Sequence, residues 1–307
     1  MLRRRNRRRW STTMSATTSE RAQLVETAIR EISHIATLPE ITLKIVELVE
    51  DPKSTAQDLH KVISNDPALC SRILKVVNSS FYGLPGQIGS INRAIVLLGL
   101  NAVKNIAIAA SLAKLFRGGE MGPCFSAKLL WEHSVGTAGA SKLIADKLKF
   151  GFGDEAFLAG LIHDIGIMVE MQSDRNRLIE VIQNLGADPS GTPTRCMLET
   201  EEEIFGASHQ DFGKALCERW KFPRNFGLVT GHHHEPMSVP SDHRTLVSVV
   251  YVADRLVASI EGGFRLDLLK LDIGPEIREQ LKLSNEKLEE LCEALPEHLA
   301  SVGEMLK

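Results

Sequence analysis

The sequence lacks the cysteine arrangements that build disulfide frameworks or thiolate zinc sites. Its five cysteines are scattered over 307 residues without any CxxC spacing: Cys70, Cys124, Cys196, Cys217 and Cys292. Both kinds of site require paired or closely spaced cysteines. This distribution is typical of a protein in a reducing compartment, and we expect a cytoplasmic location.

The sequence also lacks a hydrophobic run long enough to cross a membrane. A membrane helix needs roughly 20 consecutive apolar residues, and the apolar stretch 94–116 is interrupted by Asn101, Lys104 and Asn105. With 43% hydrophobic residues the chain can still bury a sizeable core. We therefore expect a globular protein of one large or two medium domains that does not associate with a membrane.

Strand-like alternation is scarce, and from Arg21 onward the apolar residues recur at helical spacing. Asp66-Pro67, Ser54 and Ser90 each precede an apolar stripe and predict helix starts, as does Asp154 in the second half. The strongest break is RGGEMGP at 117–123. We predict an all-α fold with helical parts over 21–122 and 123–262, followed by carboxy-terminal helices over 263–307.

The first twenty residues differ in composition from the rest of the chain. Residues 1–10 contain six arginines, and we predict a disordered basic arm over 1–20. Subtracting these arginines takes the formal charge from −3 to about −9, and an acidic body argues against nucleic-acid binding. The arm itself leaves two alternatives, a contact with nucleic acid or anionic lipid and a true start at Met14.

Five stations of metal-type ligands interrupt the helical segments of the second half: His133, His163-Asp164, His209, His232-His233 and Asp254. The adjacent pair carries most weight because the surrounding AFLAGLIHDIGIMVEM otherwise indicates buried core. Burying a polar group without a partner costs roughly 2–7 kcal/mol. A metal ion would satisfy all five stations, and each falls on a different predicted helix, as in the metal centres of helical bundles.

Imidazole and carboxylate ligands suit a divalent ion such as Fe, Mn, Zn, Ni or Mg. We interpret Asp164 as a bridge between two ions and the other six residues as terminal ligands. Two ions roughly 3.5–4 Å apart acidify a shared water and clamp a phosphoryl oxygen.

Other interpretations of these residues stay open. A single buried histidine is commonly hydrogen-bonded to the backbone, and Asp254 could pair with Arg255, although neighbours in a helix do not face each other. His234 and the remaining histidines are interpreted as surface or loop residues.

The order H, HD, H, HH, D in a helical chain resembles the HD superfamily of metal-dependent phosphohydrolases. The first half is similar to the HDOD domain, the HD-related output domain of bacterial signalling proteins. The matching residues are Asp66-Pro67-Ala68-Leu69, Asn78-Ser79, and Ala94-Ile95 leading to Leu98-Gly99, with GASHQDFGKALCERWKFP and HHEP downstream. The resemblance covers roughly residues 25–260. It implies a multi-helix bundle in which an amino-terminal helical subdomain precedes an HD-like core.

The resemblance implies a regulatory output module that acts through a signalling protein partner. HDOD domains have often lost metal ligands, and this chain departs from them by keeping the series. The alternative is an active phosphohydrolase acting on a nucleotide or cyclic dinucleotide. Against it, Ile167 stands where HD-GYP phosphodiesterases commonly have lysine, and no GYP follows His233. A third hypothesis is a nucleic-acid-associated regulator that uses the arginine arm.

Overall fold

The computed structural model describes residues 18–32, 40–113, 115–116, 119–122, 124–260 and 263–305. The amino-terminal part consists of α1 (Thr18–Glu31), α2 (Glu40–Glu50), α3 (Ala56–Ile63), α4 (Pro67–Val77), α5 (Ile91–Leu98) and α6 (Leu100–Leu112). Residues 1–17 of the predicted arm lie outside the described residues. Its predicted end at residue 20 falls inside α1.

A small antiparallel hairpin, β1 (Glu120–Gly122) and β2 (Phe125–Ser126), leads into the second part. There follow α7 (Ala127–Lys147), α8 (Gly153–Ile162), α9 (Ile165–Ser173), α10 (Arg175–Asn184), α11 (Met197–Ile204), α12 (His209–Arg219), α13 (Arg224–His232), a 3₁₀ turn (Pro236–Ser238), α14 (Arg244–Ala258), α15 (Pro275–Leu281) and α16 (Asn285–Met305). The all-α prediction is confirmed, and the hairpin is a minor addition to it. Within the described ranges, no helix has the length and apolar character needed to cross a membrane.

Two of the predicted helix starts are confirmed in detail. The Asp66 side chain accepts a hydrogen bond from the N–H of Leu69 at 2.8 Å, and Pro67 occupies the first helical position of α4. The Ser90 hydroxyl caps α5 in the same way. Each cap satisfies an N–H group that the first helical turn leaves without a partner.

The other two predicted caps are wrong. Thr55, not Ser54, caps α3 and exchanges hydrogen bonds with Asp58, while the Ser54 hydroxyl donates to the carbonyl of Leu48. α8 begins after Phe152 with no side-chain cap, because Asp154 lies inside its first turn. Sequence pattern misplaced both caps because a cap depends on the backbone conformation of one residue, and neighbouring polar residues compete for the position.

The core of the second part forms where α7 lies between α8, α14 and α16. Glycines allow the closest of these contacts. A Cβ on Gly160 of α8 would stand 2.7 Å from the Thr137 carbonyl oxygen of α7, and one on Gly139 of α7 would stand 2.6 Å from Val302 of α16. The first approach holds the carboxyl end of α8 against the middle of α7, close to His163 and His133, and the second holds α16 against α7.

Candidate metal centre

Side chains from six helices form one buried cluster that contains most of the predicted metal ligands. His133 projects from α7, His163 and Asp164 occupy the junction of α8 and α9, His209 is the first residue of α12, His233 follows α13, and Asp254 projects from α14. Each of these six side chains is 0% exposed. The predicted convergence of separate helices on a shared interior is therefore present.

One group of ligand atoms surrounds Oδ2 of Asp164. The Nε2 atom of His163 lies 3.3 Å from this oxygen and Nε2 of His133 lies 4.0 Å from it. Oδ1 of Asp254 completes the group at 3.1 Å from His133 Nε2 and 3.9 Å from His163 Nε2. Two imidazoles and two carboxylates thus face a common space.

A second group surrounds the other oxygen of Asp164. Oδ1 lies 3.2 Å from Nε2 of His233 and 3.7 Å from Nε2 of His209. Nε2 of His234 lies 3.1 Å from Nε2 of His209. The two oxygens of Asp164 therefore face two different sets of imidazoles, which is the position expected of a bridging carboxylate.

Glycine at position 166 makes this arrangement sterically possible. A Cβ there would stand 1.8 Å from the carbonyl oxygen of His209, so α9 and α12 come closer than any side chain on Gly166 would allow. Because Gly166 follows Asp164 by two residues, the same contact sets the distance between Asp164 and His209. Gly166 thus has a packing role.

Hydrogen bonds at Nδ1 orient three of the imidazoles. Nδ1 of His163 lies 2.7 Å from the carbonyl oxygen of Gly160, and Nδ1 of His233 lies 3.2 Å from that of Val229. Nδ1 of His209 lies 2.8 Å from Oε2 of the buried Glu201. When Nδ1 donates its proton to these acceptors, the Nε2 lone pair is directed into the cluster, as metal-ligating histidines require.

The structure does not bring His232 into the cluster. Its Nδ1 lies 3.1 Å from the hydroxyl of Ser238, on a partly exposed side of α13. His234, which sequence reasoning assigned to the surface, lies inside the cluster instead. Consecutive helical residues point about 100° apart, so a run of three histidines cannot show which two face the interior.

Sequence reasoning also missed two buried carboxylates. Oδ2 of Asp267 lies 3.8 Å from Nε2 of His234, and Glu201 contacts His209 as described above. Asp267 carried a usable signal because it stands between two apolar residues, Leu266 and Leu268, that are both buried. Glu201 carried little signal, since it belongs to the acidic run ETEEE, which is typical of a solvated helix face.

The donor set fits a divalent cation. Both carboxylate oxygens of Asp164, Asp254 and Asp267 are buried without a hydrogen-bond donor among the described residues. Burial and the nearby charges of Asp254 and Asp164 raise the pKa of Asp267 well above its usual value. Uncompensated buried carboxylates are unfavourable, and nitrogen and oxygen ligands of this kind suit Fe, Mn, Zn or Ni.

The histidines divide into two electrostatic classes. Burial lowers the pKa of His163, but the carboxylates of Asp164 and Asp254 outweigh it and raise the value to about 9. The pKa of His209 rises to about 9 because Glu201 outweighs burial in the same way. Burial dominates at His233 and lowers its pKa to about 4. Without a metal, protons on His163 and His209 therefore compensate part of the carboxylate charge.

The alternative ion pair of Asp254 is present alongside its place in the cluster. Nη1 of Arg255 lies 3.6 Å from Oδ2 of Asp254, and the guanidinium carbon stands 3.4 Å from the ring centroid of Tyr251. The other carboxylate oxygen, Oδ1, faces His133. Asp254 thus contacts a cation on one side and the ligand group on the other.

Comparison with known proteins identifies the family. The HDOD domain model matches residues 35–236. The chain belongs to the HDOD domain family. This confirms the resemblance carried by the sequence motifs.

Solved structures show the same fold. An HDOD domain protein of unknown function from Geobacter sulfurreducens is 28% identical, with a TM-score of 0.74 over 94% of this chain and 98% of that one. A proposed signal transduction protein from Marinobacter aquaeolei VT8 is 20% identical, with a TM-score of 0.73 over 96% of this chain and 68% of that one. At this identity the second likeness establishes the fold alone.

A curated relative extends beyond the matched region. An uncharacterized protein of Treponema pallidum (strain Nichols) is 24% identical over 248 residues, which are 80% of this chain and 46% of the relative. The chain therefore spans less than half the length of that relative.

Proposed function

We propose that this chain is a signal-transduction output module whose buried His/Asp cluster binds divalent transition metal ions. The observation that carries the proposal is the position of Asp164, whose two oxygens face two separate groups of imidazoles while neither has a hydrogen-bond donor in the described part of the chain. A pair of cations would complete both groups.

The proposed ligand sets follow from the distances. His133, His163, Asp254 and Asp164 would hold one ion, and Asp164, His209, His233 and His234 the other. Asp267 lies next to His234 and Asp254 and compensates charge at the edge of the second group. Ions bound there would supply Lewis acidity and hold six helices together. His232 is replaced by His234 in this proposal because of its contact with Ser238.

Burial favours a regulatory role over catalysis. A catalytic ion keeps one coordination position open to water and substrate, whereas the predicted ligand side chains that converge here are 0% exposed. Ile167, where a phosphate-binding lysine was expected for a hydrolase, is buried and apolar. A closed centre of this type stabilises a conformation that a signalling protein partner recognises.

The bridging geometry also supports a second candidate function, a metal-dependent phosphohydrolase acting on a nucleotide or cyclic dinucleotide. A carboxylate shared by two ligand groups is the arrangement used for in-line attack at phosphorus. This candidate requires an opening of the buried centre, which the regulatory role does not.

The first test is the metal content of the full chain purified without chelator or affinity metal. We expect about two equivalents of transition metal per chain, and fewer than one in Asp164→Asn. Asp154→Asn is the matched control, because it removes a carboxylate from the other end of α8. Near-zero metal that reconstitution does not repair would overturn the proposal.

The same variants separate the two functions. If the metal-loaded protein hydrolyses nucleotides or cyclic dinucleotides and Asp164→Asn abolishes turnover, the chain is a phosphohydrolase. Stoichiometric metal without turnover supports the regulatory module. In that case Asp164→Asn changes the thermal stability of the metal-loaded protein and has no activity to lose.

A further inference from the structure

The three polar residues that interrupt the apolar sequence of α6 are not equivalent in the structure. The buried ammonium of Lys104 has hydrogen-bond partners, because it donates to the carbonyl of Leu48 and to the hydroxyl of Ser54. Asn105 is only 7% exposed, yet its side-chain amide has no hydrogen-bond partner among the described residues. The amide atoms themselves are not sealed from solvent, because Asn105 lines a cavity, so the amide is free to bond a ligand there.

Asn105 lines a cavity of about 340 Å³ between α6, the start of α8 and the start of α13. Asn101 lines the same cavity one helical turn before Asn105. Phe152 and Phe226 contribute aromatic surface and Pro223 contributes an aliphatic edge. The cavity is therefore flanked by apolar groups and carries an amide that lacks a partner.

The start of α8 adds further hydrogen-bonding groups to the cavity. No side chain caps this helix, so the N–H groups of its first turn, beginning at Gly153, are available as donors. Glu155 also lines the cavity and uses only Oε1 to accept a hydrogen bond, from Nδ2 of Asn225 at 3.1 Å. Within the described residues, no hydrogen-bond donor contacts its second oxygen.

We propose that this cavity binds a neutral planar heterocycle that carries an N–H group next to a carbonyl group, as the base of guanosine does. The carboxylate of Glu155 suits the N–H edge, while the amide of Asn105 and the N–H groups of α8 suit the carbonyl. The aromatic walls suit the faces of a planar ring. The carboxylates of Asp154 and Glu155 disfavour a free phosphate, and the volume lies at the small end for ligand sites, which suits one base.

This site is separate from the candidate metal centre. It lies at the amino end of α8, whereas His163 and Asp164 follow the carboxyl end, and ten helical residues span about 15 Å. Binding can be measured directly on the full chain, so the result does not depend on whether the metal centre is occupied.

The test is isothermal titration of the full-length protein with guanosine. We expect a submillimolar dissociation constant, and a roughly five- to tenfold weaker one for Asn105→Ala because one hydrogen bond to the base is lost. Asn184→Ala is the matched control, since Asn184 is exposed on α10 and remote from the cavity, and it should bind like the parent protein.

Two further measurements keep the result decisive. 1-Methylguanosine lacks the N–H group and should bind several-fold more weakly, and Glu155→Gln should weaken guanosine several-fold while preserving the side-chain shape. No binding of guanosine up to its solubility limit, or equal binding by the parent and a folded Asn105→Ala variant, overturns the proposal. Equal affinity for guanosine and 1-methylguanosine overturns the proposal that Glu155 accepts a hydrogen bond from the N–H group of the base.

Discussion

The two ends of α8 place the same kinds of side chain in opposite surroundings. At the amino end, Asp154 is about one-third exposed and its Oδ1 lies 3.0 Å from the ammonium of Lys142. At the carboxyl end, His163 and Asp164 are 0% exposed and face further imidazoles and carboxylates. The amino end therefore has ordinary ion pairing and solvent, whereas the carboxyl end needs protons or a metal.

The difference shows what burial does to a carboxylate. Water screens the pair at Asp154, so its contribution to stability is small. At Asp164 burial opposes ionisation, but His163 and His233 outweigh it and lower its pKa well below the usual value. One end of α8 thus carries a solvated ion pair, and at the other end the protonation state of each group is set by the groups around it.

Metal removal should produce the largest contrast between the ends. A metal concentration about a thousandfold above the dissociation constant stabilises a folded protein by about 4 kcal/mol, so exhaustive chelation should lower the melting temperature by several degrees. Asp154→Asn should respond to chelation like the parent, whereas Asp164→Asn should respond little. Scanning calorimetry with and without chelator measures the shift, and equal responses in all three proteins would contradict the comparison.

Two glycines of α8 allow a steric version of the same comparison. Gly160→Ala should destabilise the fold by about 3 kcal/mol, since overpacking a rigid core typically costs about 1–3 kcal/mol and the new Cβ would meet the Thr137 carbonyl at 2.7 Å. Gly153→Ala should be near neutral, because its Cβ would meet the terminal carboxylate of Asp146, which is half-exposed and free to turn away. Urea denaturation of both variants measures the difference. A Gly160→Ala protein as stable as Gly153→Ala would show that α7 and α8 are not held rigidly.

The metal-free protein should lose stability as the pH rises. The pKa values of His163 and His209 are raised from 6.5 to about 9, so their stabilising contribution is complete below about pH 6.5 and disappears as the pH passes through about 9. We expect a decrease on the order of 1–2 kcal/mol, since one pKa unit corresponds to about 1.4 kcal/mol and buried charges relax. Melting curves of chelated protein from pH 6 to pH 9.5 measure it.

Metal affinity should change in the opposite direction over the same window, because binding displaces those protons. A stability of the chelated protein that rises with pH would contradict the assigned charges.

The smallest effect should come from the ion pairs at the amino end. Lys142→Met should cost less than about 1 kcal/mol, because partly exposed pairs of this kind contribute little, and the two carboxylates that it contacts, Asp146 and Asp154, remain partly solvated. High salt should remove most of the difference. If Lys142→Met loses as much stability as Gly160→Ala, the ion pairs at the amino end of α8 are not screened by solvent, and the contrast between the two ends fails.

Much of this fold was predictable because helical periodicity and capping are local. Asp66 and Ser90 cap α4 and α5 as their sequence context indicates. Ser54 and Asp154 do not cap their helices, because the backbone takes its cap conformation at Thr55 in one case and at Phe152 in the other. Local sequence therefore located the helices and left their first residues uncertain by one or two positions.

The sequence predicted the types of residue that form the candidate site, but it did not identify every residue in it. His133, His163, Asp164, His209, His233 and Asp254 converge as expected, since polar groups in apolar helices must meet a partner in the core. His232 and His234 exchange roles because the direction of each side chain depends on where α13 ends. Glu201 and Asp267 also join the site, and only Asp267, which stands between Leu266 and Leu268, carried a signal in the sequence.

By itself, the sequence determined an all-α HDOD chain with an HD-type series of imidazoles and carboxylates, because periodicity, caps and ligand types are properties of neighbouring residues. Tertiary structure decided which histidines share a carboxylate, and it left the amide of Asn105 without a partner beside an uncapped helix. The physical reason is packing. Close approaches at Gly160 and Gly166 set the positions of whole helices, and those positions determine which polar atoms meet.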